Sequence, residues 1–260
     1  MKIASFNING IKARIGALTD WLDTAEPDVV LLQEIKSVDE AFPREPFEDR
    51  GYTVETHGQK GFNGVAILSK PPLEDVTRGL PGDDGDDQAR WIEATVTGEH
   101  TALRLCGLYL PNGNPVPGPK FDYKLAWMER LRARAEALLH DEEPLLLAGD
   151  FNVIPQDEDA HRPEARAEGR AGAARGARGF SPAALPGFTD AFRARTQGPG
   201  HYTFWDYQGG AWRRGDGIRI DHVLLSPQAA DRLTDCRIDS AVRAGEKPSD
   251  HVPIEVTVDI

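Results

Sequence analysis

The sequence predicts an α/β protein of layered-sandwich type, with sheets packed on each other and helices outside. Three observations predict it. Short runs rich in Val, Ile and Leu recur along the chain, bounded by Gly, Pro, Asn and Asp. Two stretches between the runs carry apolar residues at helical spacing. The runs are nearly continuous in apolar residues, the pattern of strands covered on both faces.

Taken in order, Met1–Gly10 opens as a strand almost at once. Ile11–Asp23 places Ile11, Ile15, Leu18 and Leu22 on one helical face. Strands are expected at Val29–Leu32, Gly64–Leu68, Trp91–Val96 and Leu103–Leu110. A second helix is expected over Tyr123–Leu139, where Leu125, Met128, Leu131, Ala135 and Leu138 share a face. Leu145–Ala148, Ile218–Leu225 and Ile254–Val258 complete the strands. No linker and no exact repeat interrupts the 260 residues, so one domain is expected.

Composition narrows the function. Hydrophobic residues make up 40%, enough for a large core. Mean hydropathy is −0.46, and no apolar run approaches the roughly 18 residues of a membrane span. The N-terminus lacks the apolar stretch of a signal peptide. Cys106 and Cys236 form no disulfide framework, Cys106 reads as a buried thiol, and a reducing, cytoplasmic compartment is expected. A net charge of −12 weighs against a nucleic-acid partner. A metal enzyme nonetheless clusters carboxylates, and a DNA-binding face needs only a local positive stripe.

The informative pattern is acidic and amide residues placed directly after apolar runs. They are Gln33-Glu34, Gly149-Asp150-Phe-Asn152 and Ile218-Arg-Ile-Asp221-His222. A rigid strand that ends in a carboxylate delivers it to the sheet rim in a fixed position. Ser249-Asp250-His251-Val252-Pro253 sets an imidazole beside a carboxylate just before the last strand, with Asp221 available to orient it. Asn7-Ile8-Asn9-Gly10 ends the first strand in amides. Glu34 with Asn7 and Asp250 is a credible oxygen set for Mg²⁺. No zinc spacing, P-loop or GxGxxG motif is present.

These residues resemble the exonuclease III group of the endonuclease/exonuclease/phosphatase superfamily over nearly the full length. The stretches that carry the resemblance begin with Ser5-Phe-Asn7-Ile-Asn9-Gly10-Ile-Lys-Ala-Arg14, Leu32-Gln33-Glu34-Ile-Lys36 and Asn63-Gly64-Val-Ala-Ile-Leu-Ser-Lys70. Gln88-Ala-Arg90, Leu108-Tyr109-Leu-Pro-Asn112-Gly113 and Lys120-Phe-Asp-Tyr-Lys124 follow. Gly149-Asp150-Phe-Asn152, Arg219-Ile-Asp221-His222 and Ser249-Asp250-His251 complete the set. Together they are specific; no single one would be.

The resemblance implies a four-layered αββα sandwich of DNase I type with its site at one edge of the paired sheets. It implies Glu34 as principal metal ligand, supported by Asn7 and Asp250, with Mg²⁺ the cofactor and Mn²⁺ a substitute. His251, held by Asp221, would contact the scissile phosphate, and Asp150 would orient or deprotonate the attacking water. Asn152 and Tyr109 match positions that bind phosphate or aid the leaving group. Phe204, Trp205 and Ile218 match a small apolar pocket for a base-free sugar. Arg90, Asn112, Lys120, Lys124 and Arg213-Arg214 would contact DNA along the rim. The implied activity is cleavage of duplex DNA 5′ to abasic sites and 3′→5′ trimming of blocked ends in base excision repair, by a monomer. The alternatives are a sister phosphoesterase acting on RNA or phospholipid and inositol phosphates, and a non-catalytic DNA-binding protein.

One interval departs from the family pattern. Ala160–Gly179 holds seven Ala, five Arg and four Gly, with no Val, Ile, Leu or aromatic residue. It buries little and reads as a loop, where the family carries an amphipathic helix. A compensated pair of frame shifts is the hypothesis for that substitution. It fails if neither alternative frame restores a Leu-rich amphipathic pattern.

Overall fold

The computed structural model describes residues 1–162 and 185–260, so most of the Ala/Arg/Gly interval lies outside the described residues. Among those described, twelve strands form two six-stranded sheets. The first holds β1 (Lys2–Asn7), β2 (Val29–Gln33), β3 (Thr53–His57), β4 (Val65–Ser69), β11 (Leu233–Ile238) and β12 (Ile254–Val258), in the order β11-β12-β1-β2-β4-β3. The second holds β5 (Leu73–Arg78), β6 (Trp91–Thr97), β7 (Ala102–Tyr109), β8 (Leu145–Asp150), β9 (Thr189–Asp190) and β10 (Asp221–Leu225), in the order β5-β6-β7-β8-β10-β9.

The alternation of each central strand builds three apolar layers. Val29 and Leu31 of β2 face the other sheet and meet Ile92, Leu105 and Leu146. Val30 and Leu32 face outward, onto Ile11, Leu18 and Leu22 of helix α1 (Ile11–Ala25). Helix α3 (Pro119–Leu139), which follows the single-turn α2 (Glu45–Glu48), covers the second sheet. Its Trp127, Met128, Leu131 and Leu138 pack on Trp91, Cys106 and Leu147. The result is helix, sheet, sheet, helix, the expected αββα sandwich. Both cysteines are buried and free. Among the described residues no helix is long and apolar enough to cross a membrane.

The strand at Ile218–Leu225 needs correction. Its hydrogen-bonded ladder begins only at Asp221, because Ile218 is bridged instead to Ala160 and Phe204. Asp221 therefore starts a strand rather than ending one. It reaches the same rim as the other acids because β10 runs antiparallel to β8, with Asp221 opposite Asp150.

Candidate active site

One sheet rim collects the functional side chains, and the topology explains why. Strands β1 and β2 are parallel, with Asn7 opposite Gln33, so Asn7 and the next residue along, Glu34, leave the first sheet together. Strands β7 and β8 are parallel, with Tyr109 opposite Asp150, so the second sheet delivers both at its corresponding edge. The turn before β12 adds Ser249, Asp250 and His251 beside β1, whose Ser5 stands opposite Ile254.

At the centre, atoms of Glu34, Asp150 and His251 lie within 4.8 Å of one another. Fully buried Asn7 donates its amide to Glu34 Oε1 and to Asp150 Oδ2, each at 3.0 Å. Its own Oδ1 accepts from the Asn9 backbone at 3.0 Å, so Asn7 bridges the two carboxylates. His251 Nδ1 lies 2.9 Å from Asp221 Oδ2, and the opposite ring nitrogen is 3.7 Å from Asp150 Oδ2. Asp250 accepts from Asn9 Nδ2 at 2.8 Å and stands outside the central trio.

The charges follow from these neighbours. Burial works against a charged imidazole, but the Asp221 and Asp150 carboxylates outweigh it and raise His251 to about 10. Burial lifts the Asp150 carboxyl to about 7, against the pull of His251. Burial also disfavours the Glu34 carboxylate, yet the Lys36 ammonium and the Asn7 amide hold it below its ordinary value. Burial, with Glu34 and Asp150 adding to it, pushes the Tyr109 hydroxyl well above its usual range and keeps it protonated.

This donor set suits a hard divalent cation. Its acidic members offer only oxygen, and Lys36 Nζ already lies 2.9 Å from Glu34 Oε2, a cation at the metal's expected partner. Protonated His251 has no lone pair to offer, so a metal here depends on the oxygens.

Most of the residues expected to face phosphate or sugar lie next to this centre. Asn152 donates its backbone N–H to Asp150 Oδ1 at 2.8 Å and its side-chain amide to Leu110 O at 2.9 Å. Exposed Asn112 donates to Asn152 Oδ1 at 3.1 Å. Arg90 stacks 4.7 Å over the Tyr109 ring and donates to Tyr109 O at 3.1 Å. Phe204 lies 4.9 Å from the His251 ring and packs with Ile218, Ile220 and Ile154. Trp205 is turned away into a separate cluster with Tyr202 and Val252, its ring against Trp212. Lys120 and Arg213 are exposed, and Arg214 is paired to Asp216 at 2.7 Å.

Lys124 is not on the rim. It is fully buried, and its Nζ donates to Asn152 O at 2.6 Å and Asn112 O at 3.2 Å. Burial lowers it to about 7, although Asp150 works the other way. Helical phase explains the error: α3 begins at Pro119 and turns Lys124 inward beside Trp127 and Met128.

Several residues beside the site were read only as parts of longer stretches and given no role. Asn9 and Lys36 are two, and Arg219 with its partners forms another group. Buried Arg219 donates to Asp159 Oδ1 at 2.7 Å, Asp190 Oδ2 at 2.8 Å and His222 Nδ1 at 3.0 Å. The signal available was backbone strain. Asn9, Glu34, Lys36 and Asn152 all adopt left-handed φ between 47° and 51°, and such strain gathers at functional sites. It is not visible in residue type except as an excess of Asn.

The sequence pattern of the Endonuclease/Exonuclease/phosphatase family matches residues 4–251. The chain belongs to this family. An exodeoxyribonuclease III from Haemophilus influenzae is 37% identical, covering 98% of each chain. The DNA repair nuclease APEX1 of Danio rerio is 31% identical over 98% of this chain and 81% of its own length. Among solved structures, an AP endonuclease from Archaeoglobus fulgidus aligns over the whole of both chains at 35% identity and a TM-score of 0.89. A Neisseria 3′ phosphatase, solved with product DNA hairpin, aligns as fully at 35% identity and a TM-score of 0.90. Membership of the endonuclease/exonuclease/phosphatase family, with relatives of this kind, makes the chain a hydrolytic nuclease.

Proposed function

We propose that this protein is a Mg²⁺-dependent DNA-repair nuclease that hydrolyses the phosphodiester 5′ to abasic sites and trims blocked 3′ ends of duplex DNA. We further propose that it acts as a single catalytic domain and a monomer, in the cytoplasm. The observation that carries the reading is the Asp221–His251 pair at 2.9 Å, aimed at Asp150 beside Glu34. That arrangement supplies, in one place, a cation for the phosphate and a carboxylate for the water. The DNA-bound relative supports the substrate class.

In this reading, Asp150 accepts the proton of the attacking water while the Asn152 N–H holds the carboxylate in position. Charged His251 and the Asn152 amide face the phosphate oxygens as charge builds on them. Tyr109, kept protonated by burial, is the O–H donor for the leaving 3′ oxygen. Glu34, with Asn7 and Asp250 in support, would hold Mg²⁺, which supplies Lewis-acid charge and a template for the phosphate; Mn²⁺ would substitute. Phe204, packed on Ile218 beside His251, would offer an apolar contact to a sugar without its base. Arg90, Asn112 and Lys120 would grip flanking phosphates.

The test is a labelled duplex with one abasic analogue, incubated with Mg²⁺ or with EDTA. Incision 5′ to the lesion that needs metal and falls on the order of a thousandfold in Asp150→Asn is the expected result. Metal-independent incision, or none by folded protein, would reject it; parallel duplexes ending in a 3′ phosphate or 3′ hydroxyl rank the activities.

A further inference from the structure

Lys124 takes no part in the chemistry above, yet it sits where a lysine is costly. Its side chain lies on the buried face of α3 among Trp127, Met128 and Leu131. Among the described residues it forms no ion pair; its partners are two backbone carbonyls, Asn152 O at 2.6 Å and Asn112 O at 3.2 Å. Burying an ammonium against neutral carbonyls is unfavourable relative to leaving it in water. A helix face serving packing alone would carry Met or Leu at this position.

The two carbonyls belong to different loops, one after β7 and one after β8. The same residues meet again through their side chains, Asn112 Nδ2 donating to Asn152 Oδ1 at 3.1 Å. Asn152 also holds a left-handed φ of 48°, a conformation that surrounding contacts must enforce. Its backbone N–H then reaches Asp150 Oδ1 at 2.8 Å. Lys124 Nζ therefore closes a ring through Asn112 and Asn152 that ends on the carboxylate.

We propose that Lys124 is a positioning residue, whose side-chain nitrogen ties the two loops together through its N–H donors and thereby sets the Asn152 amide and the Asp150 carboxylate for phosphodiester hydrolysis. The inference rests on the nuclease reading for its kinetic test and has a second readout that does not.

Steady-state kinetics on the abasic duplex would compare wild type, Lys124→Met, Asn152→Ala and the double variant. Lys124→Met should lower kcat on the order of a hundredfold, the scale of a misplaced reacting group, with KM held within about threefold. In the Asn152→Ala background the same change should cost at least about threefold less, because the part that acts through the side-chain amide is already gone and coupled residues are not additive. Full kcat in Lys124→Met, or equal losses in both backgrounds, overturns the proposal. If Lys124→Met does not fold, Lys124→Gln replaces it under the same criteria. If wild type leaves the abasic duplex uncut, the nuclease reading has failed, and the ¹⁵N side-chain amide resonances of Asn112 and Asn152 decide instead. Shifts of both in the Lys124 variant support the proposal; unchanged resonances reject it.

Discussion

His251 carries positive charge in a place that water hardly reaches. Only the carboxylates make that tenable, and Asp221 is the larger of them. Activity should rise as Asp150 loses its proton, at or below about pH 7, and fall as His251 loses its own near pH 10. Removing the Asp221 charge lowers the imidazole, so Asp221→Asn should move the alkaline limb of the kcat profile down by more than about one unit. A limb that stays in place would mean that another group sets it. His222 behaves in the opposite way. Its Nδ1 accepts from Arg219 and its other nitrogen donates to Val153 O at 3.0 Å, so the ring is neutral. Burial, with Arg219 adding to it, lowers His222 to about 4. Between its ordinary 6.5 and about 4, the unfolded chain binds a proton that the native one refuses. Stability is thus intact above pH 6.5 and is lost on acidification through that window, by about 3 kcal/mol in all. Asp150, raised to about 7, works in the opposite sense over the same window, so the His222 contribution is read as the stability difference between wild type and His222→Asn in denaturant melts, which should shift against wild type from pH 7 to pH 4.5.

At the scale of elements, the strands divide sharply by their place in the sheets. Every strand legible as an apolar run is central or next to centre: β1, β2, β4, β6, β7, β8, β10 and β12. The four that the sequence concealed, β3, β5, β9 and β11, are the four edges. An edge strand such as Leu73–Arg78 faces solvent on most of its length and carries Glu74, Asp75 and Arg78, charges that discourage edges from pairing with other chains. Hydrophobic periodicity cannot find a strand that buries so little. The candidate site was legible in part for the same reason that the core was, since Glu34, Asp150 and Asp221 stand at the ends of interior strands. Lys124 was misplaced because residue type alone does not reveal helical phase. Strand proximity also constrains Gly149, one residue before Asp150. A Cβ there would stand 1.9 Å from Leu108 O, so Gly149→Ala must push β7 and β8 apart. A loss of about 3 kcal/mol in denaturant melts is expected, together with lower kcat because Asp150 moves. An Ala variant as stable and active as wild type would show that the strands have slack.

The whole molecule carries a net charge of −12, yet it is proposed to bind a polyanion. Attraction must then come from a few rim cations and from the metal, against a repelling background. Rising salt should raise KM for the duplex while kcat stays nearly level, since it screens the rim contacts and leaves the buried Asp221–His251 pair alone. A kcat that falls in step with binding would place the salt-sensitive charge inside the site. The acidic total misleads because it sums over the surface, whereas binding depends on one face.

The antiparallel pairing of β1 with β12 has a further consequence for synthesis. Strand β12 lies between β1 and β11, and His251 arrives on the turn that leads into it. The ribosome must therefore translate at least 251 codons before the imidazole can meet Asn7, Glu34 and Asp150. Until then the nascent chain holds Glu34 and Asp150 without the imidazole, and on the proposed reading it lacks the cation that would face the phosphate.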